Sequence, residues 1–213
     1  HAALGLGVDV TQAAAVAAAA ERTARELGPV SVLVNNAGVV AKGDFASQDE
    51  ADWTRTMGVN LHSYLLVTKA FLPAMTESGG RLVFVASAAG LLGVAGMAVY
   101  SASKHAVVGF ADSLRLELAR SAPGKVGVTI VCPSFIATGM FDGAAPPRGT
   151  RWLTADEVAG RALKASARGR VWVREPALVK LVPFVRTLPT RLSDRLSRLL
   201  GIHSSMDGFR GRA

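Results

Sequence analysis

Short apolar runs suited to strands alternate along this chain with stretches long enough for helices of three or more turns, and this alternation constrains the fold most. Strands separated by helices need crossover connections, which make neighbouring strands parallel and place helices on the faces of the sheet. Strands are expected over residues 4–10, 30–35, 81–86, 126–132 and, briefly, 171–173. Helices are expected over about 12–27, 50–76, 97–120 and 155–167, the first closed by Gly28-Pro29 and the last capped by Thr154. The unbroken apolar run at 30–35 suggests a strand covered on both faces. The pattern is that of a doubly wound α/β sheet.

Composition narrows the class. Half of the 213 residues are apolar and 19% are charged, enough for one domain with a sizeable core. The single cysteine, Cys132, can make no internal bridge, which points to a reduced, cytoplasmic setting and to a small core residue. The four histidines are scattered, and no metal site is expected. The uncharged stretch at 82–103 is long enough to span a bilayer, but its serines, Tyr100 and three glycines argue for a buried strand followed by a loop and a helix. Charge is unevenly placed: residues 1–147 carry a net −1, residues 148–213 a net +9. A neutral body with a basic tail speaks against nucleic acid, which a basic surface throughout would favour.

Tyr100 and Lys104 stand four residues apart, one helical turn, so a phenol and an ammonium share one helix face. A nearby positive charge favours the phenolate and makes the phenol a usable acid/base. Ser87 follows a strand by one residue, at the sheet end where such folds bind ligands, and its hydroxyl could hold a substrate oxygen. Tyr-x-x-x-Lys alone also describes a plain solvated pair. Here it comes in order with Asn35-Asn36-Ala37-Gly38 after a strand, Asn60 within Gly58-Val59-Asn60-Leu61, and Ser87.

With these residues together the chain resembles the short-chain dehydrogenase/reductase family from Leu4 to about Val173. The resemblance implies a Rossmann-type fold and an oxidoreductase that uses NAD or NADP on an apolar alcohol and its ketone or aldehyde. It assigns proton transfer to Tyr100, support of the phenol and of the nicotinamide ribose to Lys104, orientation of the substrate oxygen to Ser87, and a water relay from Lys104 to Asn60. Cofactor contacts implied are Asp9 and Val10 at the adenine, Asn36, Ala37 and Gly38 along the groove, and Pro133, Ile136 and Thr138 at the carboxamide. Where the family usually has Pro-Gly, this chain has Pro133-Ser134. The family's first two strands and its Gly-rich phosphate turn find no match, since Gly5-x-Gly7 lies inside the expected first strand. The expectation is a fragment that lacks them and binds cofactor poorly by itself.

The organisation expected is a dehydrogenase core over 1–174 and a helical basic extension of the same domain over 175–213. The segment between Pro133 and Leu153 is long for a connection, as lids are. Its Phe135, Ile136, Met140, Phe141 and Trp152 suggest an apolar substrate, with Met97 beside them. In the extension, leucines and valines recur at helical spacing among Lys180, Arg186, Arg191, Arg195 and Arg198, and the run from Ser205 to Arg212 resembles the tail of retinol- and steroid-dehydrogenase-like members. Such a segment could lie on an anionic membrane surface, pack over the substrate pocket as a flap, or make a subunit contact, homo-oligomers being usual in the family. Reduction of a β-ketoacyl thioester, and a membrane- or partner-binding piece without cofactor, stand as alternatives.

Overall fold

Four parallel strands make up the sheet in the computed structural model, which describes residues 2–41 and 43–211. They are β1 (Val32–Asn35), β2 (Gly80–Val85), β3 (Val126–Pro133) and β4 (Trp172–Glu175), side by side in chain order. The intervening helices are α1 (Ala13–Leu27), α2 (Glu50–Met57), α3 (Ser63–Ser78), α4 (Ala98–Ser121) and α5 (Ala155–Ala167); α6 (Val182–Val185) and α7 (Thr190–Leu199) follow β4. The expected α/β architecture is thus present.

Side chains alternate across β2 and divide the core in two. Leu82 and Phe84 point with Ile130 and Cys132 toward Val107, Ala111 and Leu114 of α4. Val83 points the other way, with Val131 and Val173, onto Val158, Ala162 and Ala165 of α5. Each large side chain buried this way contributes about 1.5–3 kcal/mol of transfer free energy. Cys132 is an ordinary member of this core, and burial pushes its thiol up to about 12. The Thr154 cap is a full capping box: its hydroxyl accepts from the Glu157 amide while the Glu157 carboxylate accepts from the Thr154 amide.

Three expectations need correction. Residues 4–10 pair with no strand; Leu4, Leu6, Val8 and Val10 alternate inward, but no neighbouring strand among the described residues completes a ladder. The run at 30–35 is covered on one face only: Leu33 and Asn35 are buried, whereas Val32 and Val34 are 44% and 48% exposed, because α5 covers β2 to β4 and does not reach β1. The helix expected over 50–76 is two helices, α2 and α3, joined by a wider π turn at Gly58–His62. π turns inside helices often mark functional positions, and this one carries Asn60.

Candidate active site

The carboxyl ends of β2 and β3 and the start of α4 meet at a cavity of about 330 Å³. Ser87, two residues past β2, caps a short 3₁₀ turn: its Oγ accepts from the Ala89 amide at 3.1 Å, which leaves its proton free to donate into the cavity. Tyr100 and Lys104, one turn apart on α4, both line the cavity, and both are buried. The Tyr100 ring packs edge-on against Phe141 at 5.8 Å between centroids.

Lys104 Nζ donates to the Val85 carbonyl at 2.9 Å, an oxygen that also accepts the Tyr64 hydroxyl at 3.1 Å. The ammonium lies 5.4 Å from the Tyr64 ring centroid and 5.8 Å from that of Tyr100, so two aromatic faces help offset its burial. Burial still dominates and pulls the ammonium down to about 8. The phenol departs from expectation. Burial pushes Tyr100 up to about 12, against a weaker lowering effect of the Ser87 side chain, so the phenol keeps its proton at neutral pH.

The Asn60 side chain is engaged on both of its polar atoms. Its Oδ1 accepts from the Val39 amide at 2.8 Å, and its Nδ2 donates to the Val39 carbonyl at 2.9 Å and to Ser103 Oγ at 3.0 Å. Ser103 in turn donates to the Tyr100 carbonyl at 2.7 Å. The Asn60 side chain thereby ties the loop after β1 to the helix that carries Tyr100. Tyr64 and Ser103 were not expected at the site from sequence; each is a small spacing away from a residue that was, four after Asn60 and three after Tyr100.

Of the expected cofactor contacts, Asn36, Gly38, Pro133, Ile136 and Thr138 line the cavity. Ala37 lies between two lining residues without lining it itself. Asp9 and Val10 are not brought to the cavity: the Asp9 carboxylate accepts from Thr11 N and Oγ1, at 2.9 and 2.7 Å, and opens α1. Asn35 donates to Thr68 Oγ1 at 3.1 Å and ties β1 to α3. A ribose-sized, hydroxyl-bearing group fits the space beside Lys104. The ammonium can donate three hydrogen bonds and makes one, and a Cβ at Gly38 would stand 3.7 Å from Nζ, so the missing side chain leaves that space open.

The rest of the cavity is mostly apolar. Phe135, Met140, Phe141, Met97 and Val94 line it from the core side, and Trp152 backs Phe135 at 5.6 Å. The segment between Pro133 and Leu153 is pinned rather than loose, with Leu153 N donating to the Phe135 carbonyl and Ala137 N to the Leu153 carbonyl. The C-terminal extension closes the cavity. Leu178, Val179, Val182, Ile202 and Ser205 line it, and Met206 and Phe209 join the cluster around Tyr100. Of the three roles left open for this segment, the flap is the one its inner face builds. Arg212, the last residue of the expected tail resemblance, lies outside the described residues. Among these, no group of His, Cys, Asp and Glu side chains is placed to hold a metal ion.

Comparison with known proteins agrees with this geometry. The chain is 39% identical over 201 residues to retinol dehydrogenase 10 of Homo sapiens, covering 89% of this chain and 58% of that protein. It is 34% identical over 197 residues to epidermal retinol dehydrogenase 2 of Mus musculus, covering 91% of this chain and 64% of that one. It thus spans less than two thirds of the length of these relatives. Among solved structures, a short chain dehydrogenase/reductase from Burkholderia phymatum in complex with NAD superposes with a TM-score of 0.75 at 30% identity, over 86% of this chain and 75% of that one. A short chain dehydrogenase from Burkholderia cenocepacia in complex with NADP gives 0.76 at 26% identity, over 92% and 80%. The short chain dehydrogenase family model matches residues 1–148, and the chain belongs to that family.

Proposed function

We propose that this chain carries the catalytic centre of an NAD(P)-dependent oxidoreductase that interconverts an apolar alcohol and its carbonyl. The observation that carries the reading is the convergence of a phenol, an ammonium and a free hydroxyl donor on one mostly apolar cavity. The bound nicotinamide would supply or accept the hydride. Lys104, Tyr100, Asn36, Gly38, Pro133, Ile136 and Thr138 would hold it.

Ser87 donates its free O–H to the substrate oxygen and orients it toward Tyr100. In carbonyl reduction the Tyr100 O–H gives its proton to that oxygen, and the phenol held near 12 is already in the protonated form this requires. In alcohol oxidation the same phenol must lose its proton first. Lys104 supplies the positive charge that favours the phenolate, and spare N–H groups for a neighbouring oxygen. Phe135, Phe141, Val179 and Val182 exclude water and accept an apolar body. The retinol dehydrogenases among the relatives act, by name, on an alcohol of that kind.

The outer face of the cover suggests where such a substrate is met. Phe184 is 71% exposed and Leu199 65%, and Arg191, Arg195 and Arg198 flank a shallow groove with Leu199. No described acidic side chain pairs with these three arginines. Apolar groups among unpaired cations match an anionic lipid surface, and peripheral contact there belongs to this reading. No described helix is long and apolar enough to cross a membrane.

The test of the activity is oxidation of NADH or NADPH by protein expressed from the whole reading frame that contains this sequence, with apolar aldehydes and ketones as substrates. Turnover of a β-ketoacyl thioester alone, or of none of these, would overturn the proposal. For the surface, flotation with vesicles containing phosphatidylglycerol should show binding at low salt that is lost at high salt; no binding at low salt would refute it.

A further inference from the structure

Three parts of the cavity rim that are far apart in sequence meet at one side chain. Arg186, which closes α6, donates from Nη1 to the Leu91 carbonyl at 3.0 Å and to His105 Nε2 at 3.2 Å. Leu91 ends the turn that Ser87 begins, and the next residue, Leu92, lines the cavity. His105 follows Lys104 on α4. Arg186 itself follows the stretch whose Leu178, Val179 and Val182 form the cavity cover. One guanidinium therefore ties the cover both to the turn of Ser87 and to the helix of Tyr100 and Lys104.

The hydrogen bonds also fix which form of His105 makes this contact. Its Nδ1 lies 2.9 Å from the Ser101 carbonyl, which can only accept, so Nδ1 carries a proton. In the neutral ring Nε2 then has a free lone pair, aimed at a guanidinium that can only donate. A second proton would put an N–H and a positive charge on the atom that faces Arg186, and attraction would become repulsion. No other described charge intervenes: Lys104 turns its ammonium inward to the Val85 carbonyl, and no carboxylate pairs with His105 or Arg186.

We propose that Arg186 is a positioning residue, a catch that holds the cavity cover closed through neutral His105 and releases it when His105 takes up a proton. Arg186 is exposed and both of its acceptors are uncharged, so the catch is weak enough to open for substrate and product. Its consequence for substrate rests on the proposed activity; the catch itself is a property of the cover.

The two are separated by measuring amide exchange over residues 182–188 in the full chain, at about pH 8 and at about pH 5.5. Residues 155–167 serve as an internal control for general loosening. Arg186→Ala should speed exchange of the cover roughly fivefold to tenfold at the higher pH, with the control unchanged. Arg186→Lys, which keeps the charge but loses the fork that reaches two acceptors, should fall between. The unsubstituted protein should approach the Arg186→Ala rate at the lower pH, and His105→Gln, which offers an acceptor and does not titrate, should stay slow at both. In turnover, Arg186→Ala should raise KM for an apolar carbonyl several-fold while kcat changes less than about twofold. Equal exchange for Arg186→Ala and the unsubstituted protein at the higher pH, or an acid response retained in His105→Gln, would overturn the catch. A catch seen by exchange in a protein that turns over no carbonyl would instead overturn the proposed activity.

Discussion

The wall of the cavity that bears Tyr100 and Lys104 is held by side chains that are themselves buried, whereas the wall built by residues after Pro176 is held mainly along its edges. On the first wall, Asn60, Ser103, Tyr64 and Lys104 are at most 3% exposed and bond to one another's neighbours through Val39, Val85 and Tyr100. On the second, Val179, Ser205, Met206 and Phe209 are buried, but Leu181 and Phe184 in the stretch nearest Arg186 are mostly exposed. Its ties include backbone hydrogen bonds from Ala145 to Ser205, from Arg148 to Leu200 and from Arg210 to Asp142, the Arg148 guanidinium on the Leu199 carbonyl, and the Arg186 contacts at the other end. Local opening follows from sparse buried contacts, so one wall is suited to fix reacting groups and the other to admit and release what reacts.

The largest effects should come from the fixed wall and should leave the cover untouched. Tyr100→Phe keeps the ring against Phe141 and removes only the hydroxyl, the proposed proton-transfer group; turnover should fall about a thousandfold or more, with the melting temperature nearly unchanged. Unaltered turnover would break the comparison at its strongest point. Lys104→Met should also abolish most activity, yet stabilise the fold. The ammonium is held near 8 when folded against 10.5 as its ordinary value, so between these pH values the unfolded chain binds more protons and stability rises with pH. Below about pH 8 the full cost of burying the charge is present, on the order of 3 kcal/mol. Removing it should raise the melting temperature by roughly 6–12 °C at neutral pH and abolish this group's share of the rise between pH 8 and 10.5. A lower melting temperature for Lys104→Met would show that the hydrogen bond to Val85 outweighs desolvation.

A smaller effect is expected where the cover is stapled to the loop below it. Gly143 has φ +81° and packs backbone to backbone against Gly208, so a Cβ at 143 is both strained and blocked by the Gly208 carbonyl. Gly143→Ala should cost about 1–3 kcal/mol and raise KM more than it lowers kcat. An equal loss in kcat would mean that the cover also positions the reacting groups, and the distinction between the walls would narrow.

How much of this could be read from residues follows the same division. The fixed wall was legible because strand and helix periodicity places Ser87 past β2 and Tyr100 and Lys104 on one face of α4, and local spacing suffices for that. The π turn at Gly58–His62 was not legible: hydrophobic periodicity runs on through it, and the widening shows only in the backbone. Nor was the state of the phenol. Spacing brings Lys104 close to Tyr100, but only the packing shows that burial raises the phenol against the lowering effect of the Ser87 side chain. The local partner of Asp9, to which the family resemblance assigns an adenine contact, was not legible either: its carboxylate accepts from Thr11 two residues away at the turn into α1. The cover was legible as an amphipathic segment, but Val182 lines the cavity while Phe184 is exposed, an assignment that depends on the breaks near Pro183 and Pro189.

The finest test sets the inner and outer faces of that one segment against each other. Val179 is 5% exposed and lines the cavity; Phe184, five residues on, is 71% exposed. If burial rather than residue size governs the cover, Val179→Ala should destabilise by about 1–2 kcal/mol and admit bulkier carbonyls. Phe184→Ser removes a larger side chain, yet should change stability by less than about 0.5 kcal/mol and leave KM for a water-soluble substrate unaltered. Chemical denaturation and KM for a pair of substrates differing in bulk would read both. A larger stability loss for Phe184→Ser than for Val179→Ala would place the phenylalanine inside a packed interface of the free protein and remove the exposed apolar face on which contact with lipid depends.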